Sequence, residues 1–396
     1  MSIDTAVVLA AGEGTRLRPL TRNRPKPMLP AANQPILEYV FDALVAADVR
    51  RIVVVVGYKR DRVRNHFGPT YDGVDVEYVT QHKQLGSGHA LLQARDAVDG
   101  PTLVLNGDRV IDANIVRDVA REFERTGDPS MAVLERPETS QYGAVVLREG
   151  DVSQVVEKPD TDEYRLINAG IYAFESTIFD AIDATDRSDG ELGLTDTISR
   201  LLGDGRVRGV RTEGMWVDAT YPWDLLTVAD EVLARGHVDE PQRSEQVWVD
   251  PAATVHETAI LQGPVVIGLD CEVGAGSVVG PNTAVGQNVT VGANATVRSS
   301  VLDTDTRVES GSMLIDAVTG QDVTLGAGTV VPGGPADVRV GREVFEDQRL
   351  GAVVADRVTA EGDASFSPGT LVGPGAHIAT SVRASGTIAE GAEVVR

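Results

Sequence analysis

Two hydrophobic periods run along this chain, and they meet near residue 240. In the first part, short β-branched runs alternate with helical stretches. Ala6–Leu9, Arg51–Val56, Val74–Val79, Thr102–Leu105, Met131–Leu134 and Ala144–Leu147 read as strands. Pro35–Ala47, Ser87–Ala97 and Ala113–Arg125 carry apolar residues three and four apart and read as helices. This alternation predicts an α/β domain: a mostly parallel mixed sheet with helices on both faces. Ligands of such sheets bind beyond the carboxyl ends of the strands.

After a polar stretch around His237 to Glu245 the period becomes six. Val249, Val255, Leu261, Ile267, Val273, Val279, Val285, Val291 and Val297 are spaced six apart without exception. Small residues often follow, as in Val273-Gly274, Val279-Gly280, Val285-Gly286 and Val291-Gly292. Neither a helix nor a flat strand has this period. Hexapeptide repeats build a parallel β-helix, with the aliphatic residue pointing inward and the small one at the corner. The register is expected to lapse near 303–324, to return at Leu325 and Val331, and to break again. It resumes at Val354, Ala360, Phe366, Val372 and Ile378. The expected organisation is a first domain over 1–237, a linker over 238–246 and a β-helix over 247–396.

Charge narrows the choice of partners. The 396 residues carry 59 acidic and 36 basic side chains, a net −23, so nucleic acid is not an expected partner. Only Lys26, Lys59, Lys83 and Lys158 are lysines. An acidic, lysine-poor surface suits a very salty cytosol, and it makes each retained lysine a candidate for chemistry. The single cysteine, Cys271, excludes an internal disulfide and reads as filler in an apolar rung. Met1 leads directly into a strand, and no apolar run approaches the roughly 20 residues that span a bilayer. A cytoplasmic protein with no membrane partner is expected.

Candidate chemistry begins at residues 9–30. The strand ending at Leu9 is followed by Ala11, Gly12 and Gly14, then by Arg16, Arg18, Arg22, Arg24 and Lys26. Glycines after a strand let backbone N–H groups turn toward an anion, and cations behind them supply charge, so the stretch reads as a triphosphate cradle. No Gly-Lys-Ser/Thr follows, which excludes the Walker loop. Arg18, Arg22 and Arg24 are expected to be solvated. Asn106-Gly107-Asp108 directly follows the Thr102–Leu105 strand, where an Asp suits Mg²⁺ or, alternatively, simply closes its own turn.

Six motifs then appear in order: Leu9–Pro30, Gln84–Ala90, Asn106-Gly107-Asp108, Val156-Glu157-Lys158-Pro159, Asn168-Ala169-Gly170 and Trp216-Val217-Asp218. Together they resemble the sugar-1-phosphate nucleotidylyltransferases. With the hexapeptide domain added, the chain is most similar to the two-domain archaeal type, related to the bacterial bifunctional N-acetylglucosamine-1-phosphate uridylyltransferase. The resemblance implies a Rossmann-like nucleotidyltransferase domain followed by a left-handed parallel β-helix. It also implies Mg²⁺-dependent transfer from UTP or dTTP to glucose 1-phosphate or N-acetylglucosamine 1-phosphate, releasing pyrophosphate.

Transferred position by position, Leu9, Ala11, Gly12 and Gly14 would wrap the nucleotide, while Gln81, Gly86 and Ser87 would face base and ribose. Arg16 would neutralise the leaving pyrophosphate, and Lys26 would reach the α-phosphate. Asp108 and Asp218 would hold Mg²⁺. Gly143, Glu157 and Asn168 would bind sugar hydroxyls, and Lys158 the sugar phosphate. Lys59 and Lys83 read as surface lysines, and His89 as a packing residue near a helix start. After Asp218 the chain runs Ala219-Thr220-Tyr221, a departure from the family's Gly-Thr turn.

The second domain departs further. Bifunctional relatives acetylate an amino sugar phosphate there, with a His as general base. Val308–Asp316 contains no histidine, Thr324 stands where relatives have Asn, and Arg349 where they have Lys. His256 and His377 lie elsewhere in the repeat. The expectation is that acetyl transfer is lost and that the β-helix assembles a homotrimer. Alternatives are a bifunctional enzyme or a non-catalytic regulatory subunit. The second is disfavoured because Arg16, Lys26, Asp108, Lys158 and Asp218 are all present.

Overall fold

Ile52 to Val56 are buried without a break, as a strand covered on both faces requires. Thr5–Ala10, Arg51–Val56 and Val74–Thr80 run parallel, and Thr102–Asn106 pairs in parallel on the other side of Thr5–Ala10. Beyond Thr102–Asn106 the pairing is mostly antiparallel, with Arg208–Arg211 running parallel to Ser130–Glu135. Leu166–Phe174 pairs with Thr102–Asn106 and, across a bulge, with Ser130–Glu135. Gly143–Arg148, Asp151–Glu157, Arg208–Arg211 and Thr70–Tyr71 complete ten strands. The structure, a computed structural model, describes residues 3–137, 139, 142–157, 159, 164–188 and 190–395.

Helices form at Ile36–Ala46 and Ala113–Thr126, close to expectation. The helix expected over 87–97 is two pieces, Ser87–Leu92 and a 3₁₀ turn at Arg95–Ala97. The N–H groups of Gln93 and Ala94 bond three residues back, at 3.1 and 2.9 Å. The Gln93 amide also takes the His89 carbonyl at 3.1 Å. Such bonds tighten a helix end and stop it.

The second half is three parallel sheets wound around an aliphatic core. Val249 pairs with Ile267 and Ile267 with Val285, while Val255, Val273 and Val291 form a second row and Leu261, Val279 and Val297 a third. The expected lapse at 303–324 is corrected. Val285 pairs with Leu302, Val291 with Val308 and Val297 with Leu314, so the core continues one residue out of phase. The corner at Ser299–Ser300 is simply one residue shorter. The break after Val331 is an insertion: Thr319 pairs with Val354, and between them stands the hairpin Ala336–Val340/Glu343–Gln348. Corners stack in columns. Asp270, Asn288, Asp305, Asp322 and Arg357 all have φ between 50° and 62°, a left-handed conformation that Asn and Asp tolerate best among side-chain-bearing residues.

The chain divides into two compact units that do not follow chain order. One holds the residues up to Glu13 with Ile36–Trp216; the other holds Gly14–Pro35 and Val217–Arg396. Gly14–Pro35 and residues 217–237 thus pack with the β-helix. Within the stretch expected as linker, Gln242–Ser244 pairs antiparallel with Val247–Val249. Among the described residues no helix is long and apolar enough to cross a membrane.

Candidate active site

In the first unit the candidate residues gather at one end of the sheet. The chain leaves Thr5–Ala10 through Ala11, whose carbonyl accepts from the Tyr58 N–H at 3.3 Å and from Gln84 Nε2 at 3.2 Å. A Cβ on Gly57 would stand 2.7 Å from that oxygen, so only glycine lets the two strand ends approach. The Gly107 N–H bonds the Leu9 carbonyl at 2.9 Å, which seats Asp108 beside the glycine loop. Its carboxylate is one-third exposed, 3.9 Å from Arg109 Nε.

Gln81 is buried at the end of Val74–Thr80, its N–H on the Val56 carbonyl at 2.8 Å. Its amide nitrogen donates to the Gly86 carbonyl at 3.1 Å and meets His89 Nδ1 at 2.9 Å. His89 therefore orients Gln81, a role beyond the packing expected of it. Burial, and secondarily Arg187, holds the His89 pKa below its usual range, which keeps Nδ1 free to accept. Gly86, at φ +97°, would put a Cβ against the Leu192 carbonyl. Ser87 Oγ accepts the Leu194 N–H at 2.9 Å. Ser87 thus clamps the loop onto 192–194. Gln81 lines a cavity of about 570 Å³ with Gly57, Tyr58, Lys59 and Arg60.

Three expected sugar-binding residues meet. Gly143 pairs with Glu157, and a Cβ on Gly143 would lie 3.4 Å from Glu157 Oε2 and 3.7 Å from Asn168 Cβ. Asn168 accepts the Gly170 N–H at 2.9 Å and donates to the Tyr172 hydroxyl at 2.8 Å. Burial pushes that phenol up to about 12, so it stays protonated. Lys158 lies outside the described residues.

In the second unit, Gly14 adopts φ +66°, and a Cβ there would lie 2.7 Å from Lys26 Cβ. Lys26 Nζ donates to Asp218 Oδ1 at 2.7 Å, and the Thr220 hydroxyl reaches Asp218 Oδ2 at 3.2 Å. Asp224 accepts the Thr220 and Tyr221 N–H groups at 2.8 and 2.7 Å, and burial pushes its carboxyl up to about 6. This turn stands where the Ala219-Thr220-Tyr221 departure occurs. Arg16 remains exposed.

Arg24 corrects an expectation. It is buried, not solvated, with Nη1 on Asp303 and Nη2 on Asp356 at 3.2 Å. Desolvation opposes its charge, but the two carboxylates overcome this and raise its pKa. Cys271 is buried as expected, its thiol on the Gly286 carbonyl at 2.8 Å. No group of three or more His, Cys, Asp or Glu among the described residues is arranged to hold a metal unaided.

Residues 5–235 match the nucleotidyl transferase family model, and residues 261–388 match the model of the GMPPB C-terminal domain. Proteins named bifunctional protein GlmU from Methanococcus maripaludis and Methanocaldococcus jannaschii are each 31% identical, over 93% and 95% of this chain and 91% and 93% of theirs. UTP–glucose-1-phosphate uridylyltransferase AglF of Haloferax volcanii is 38% identical over 61% of this chain and 99% of its own. The solved UTP-bound UGPase of Acinetobacter baumannii aligns with 59% of this chain and 93% of its own, with a TM-score of 0.54 and 25% identity. The chain belongs to the sugar-1-phosphate nucleotidylyltransferase family. Its reaction moves a nucleotidyl group from a nucleoside triphosphate to a sugar 1-phosphate.

Proposed function

We propose that this enzyme uses UTP or dTTP and transfers the nucleotidyl group to glucose 1-phosphate or N-acetylglucosamine 1-phosphate. Gln81 carries the reading. Both protons of its amide are committed, to Gly86 and His89, so its oxygen is what remains to meet a base. Uracil and thymine present an N3–H donor there, and cytosine does not. Leaving a buried acceptor unpaired costs about 1–3 kcal/mol.

The attacking phosphate oxygen already carries negative charge, so the reaction needs no general base. Its barrier is the alignment of two repelling anions. Lys26, held by Asp218 before substrate arrives, exchanges that carboxylate for the α-phosphate. Arg16 faces the leaving pyrophosphate, while the N–H groups at Gly12 and Gly14, with Leu9 and Ala11 behind them, wrap the chain of phosphates. Gly143, Glu157 and Asn168 hold sugar hydroxyls, and Lys158 holds the sugar phosphate. Asp108 and Asp218 fit Mg²⁺, which needs only one or two carboxylates when phosphate oxygens and water complete its shell. Bound there, the ion would neutralise charge on the triphosphate.

Residues 1–237 would form the catalytic domain, joined through 238–246 to a β-helix that assembles three chains in a salty cytoplasm. Light scattering at a single-chain mass would refute the assembly. The relatives' name favours a second reading, acetyl transfer in the β-helix. Against it, His256 bonds Thr258 and His377 pairs with Glu361, and neither is in 308–316. CoA release with glucosamine 1-phosphate would establish it. The deciding experiment measures pyrophosphate release from four nucleotides against glucose, galactose and N-acetylglucosamine 1-phosphates. Turnover with CTP matching UTP would overturn the reading of Gln81.

A further inference from the structure

A cavity of about 830 Å³ lies within the second unit, among the loop Thr15–Arg22, the inserted hairpin and the last coils at 371–374 and 387–390. Arg16, Arg18, Arg22, Arg339 and Arg342 line it, against only Glu343 and Glu390. That excess of positive charge sits in a chain of net charge −23. With acids so abundant, pairing is the default for a cation here. Arg24, Lys26, Arg208 and Arg349 all have carboxylate partners. Arg16, Arg339 and Arg342 have no ion pair to a described residue.

The hairpin that supplies two of these arginines is braced. Val338 is fully buried, and the Phe345 ring packs 4.5 Å from Tyr221 and 5.3 Å from Trp223. Tyr221 also lines the cavity, stacked on Trp223 at 4.9 Å. Guanidinium groups on a fixed support match phosphate oxygens two at a time and lose little freedom on binding. Leu371, Pro374 and Ile388 give the cavity an apolar wall, and its volume is that of a small-molecule site.

We propose that this cavity is a second anion site, one that takes a small organic phosphate of nucleoside diphosphate size. Arg339 and Arg342 grip the phosphates, and Arg16 is shared with the reacting triphosphate. Occupancy draws Arg16 away from the leaving pyrophosphate and slows turnover. This last consequence rests on the nucleotidyl-transfer reading; the site itself does not.

Hydrogen exchange of the full chain tests it locally, with UDP as the probe. At four times the dissociation constant, amides in 336–348 and 387–390 should exchange about fivefold more slowly. In R339S/R342S that protection should vanish while protection at 9–14 remains. No slowing at the hairpin in the wild type overturns the proposal. So does equal slowing in the variant, or equal slowing by sulfate at matched ionic strength. Turnover is measured separately. A chain that turned over no sugar phosphate would refute the substrate reading and leave the exchange result standing.

Discussion

Arg24 and Lys26 stand two residues apart on one loop, in regions that use a cation in opposite ways. Arg24 is 2% exposed and sealed between Asp303 and Asp356, carboxylates 279 and 332 residues away in sequence. Lys26 meets Asp218 at 2.7 Å with 12% of its side chain still reached by solvent. A cation held by a single carboxylate, with its own side chain partly reached by solvent, can trade that carboxylate for a phosphate. A cation locked between two buried carboxylates cannot be withdrawn without stranding both. One charge therefore fixes the loop, and its neighbour is held where chemistry can use it.

The largest expected effect falls on the fixed charge. Arg24→Ala should cost about 3–5 kcal/mol in denaturant unfolding, because two buried acids lose their partner. Lys26→Ala strands one carboxylate, Asp218, instead of two, so it should cost less stability than Arg24→Ala, and it should lower kcat about 10²–10³-fold. If the two variants lost stability equally, the contrast between them would collapse.

Asp224 sharpens the comparison through pH. Burial raises its carboxyl from 3.8 to about 6. Between those values the folded protein binds more protons than the unfolded chain, so stability should fall as pH rises from about 4 to 6. The total is on the order of 3 kcal/mol. Asp224→Asn should flatten that slope in melting curves. Because the Lys26 charge lowers this pKa, Lys26→Ala should move the window upward. The smallest effect is at Gln81: Gln81→Leu should narrow the preference for UTP over CTP by about tenfold in kcat/KM.

The sequence made parts of this legible. Inward positions of a β-helix recur whatever the corners do, so Val249 to Val297 announced it. The phase slip was hidden, because shortening a corner leaves the same residue types out of step. The pairings of Val285 with Leu302, Val291 with Val308 and Val297 with Leu314 reveal it. Leu166–Phe174 was missed because strand pairing, not periodicity, defines it. At the site, Gly86 was readable and its reason, the close Leu192 carbonyl, was not. Gly57, forced by the Ala11 carbonyl, carried no motif to single it out. Arg24 read as solvated because its partners, Asp303 and Asp356, each look like ordinary surface acids until the coil brings them inward.

The hairpin after Val331 has one more consequence. Thr319 pairs with Val354 as if nothing intervened, so the coil above and the coil below meet directly. The insertion is a cassette. It can be lengthened, exchanged or excised at a corner while the aliphatic stack keeps its register, because each coil answers only to its neighbours. A lineage carrying this scaffold can revise what the hairpin recognises one loop at a time, and neither the catalytic sheet nor the core must change with it.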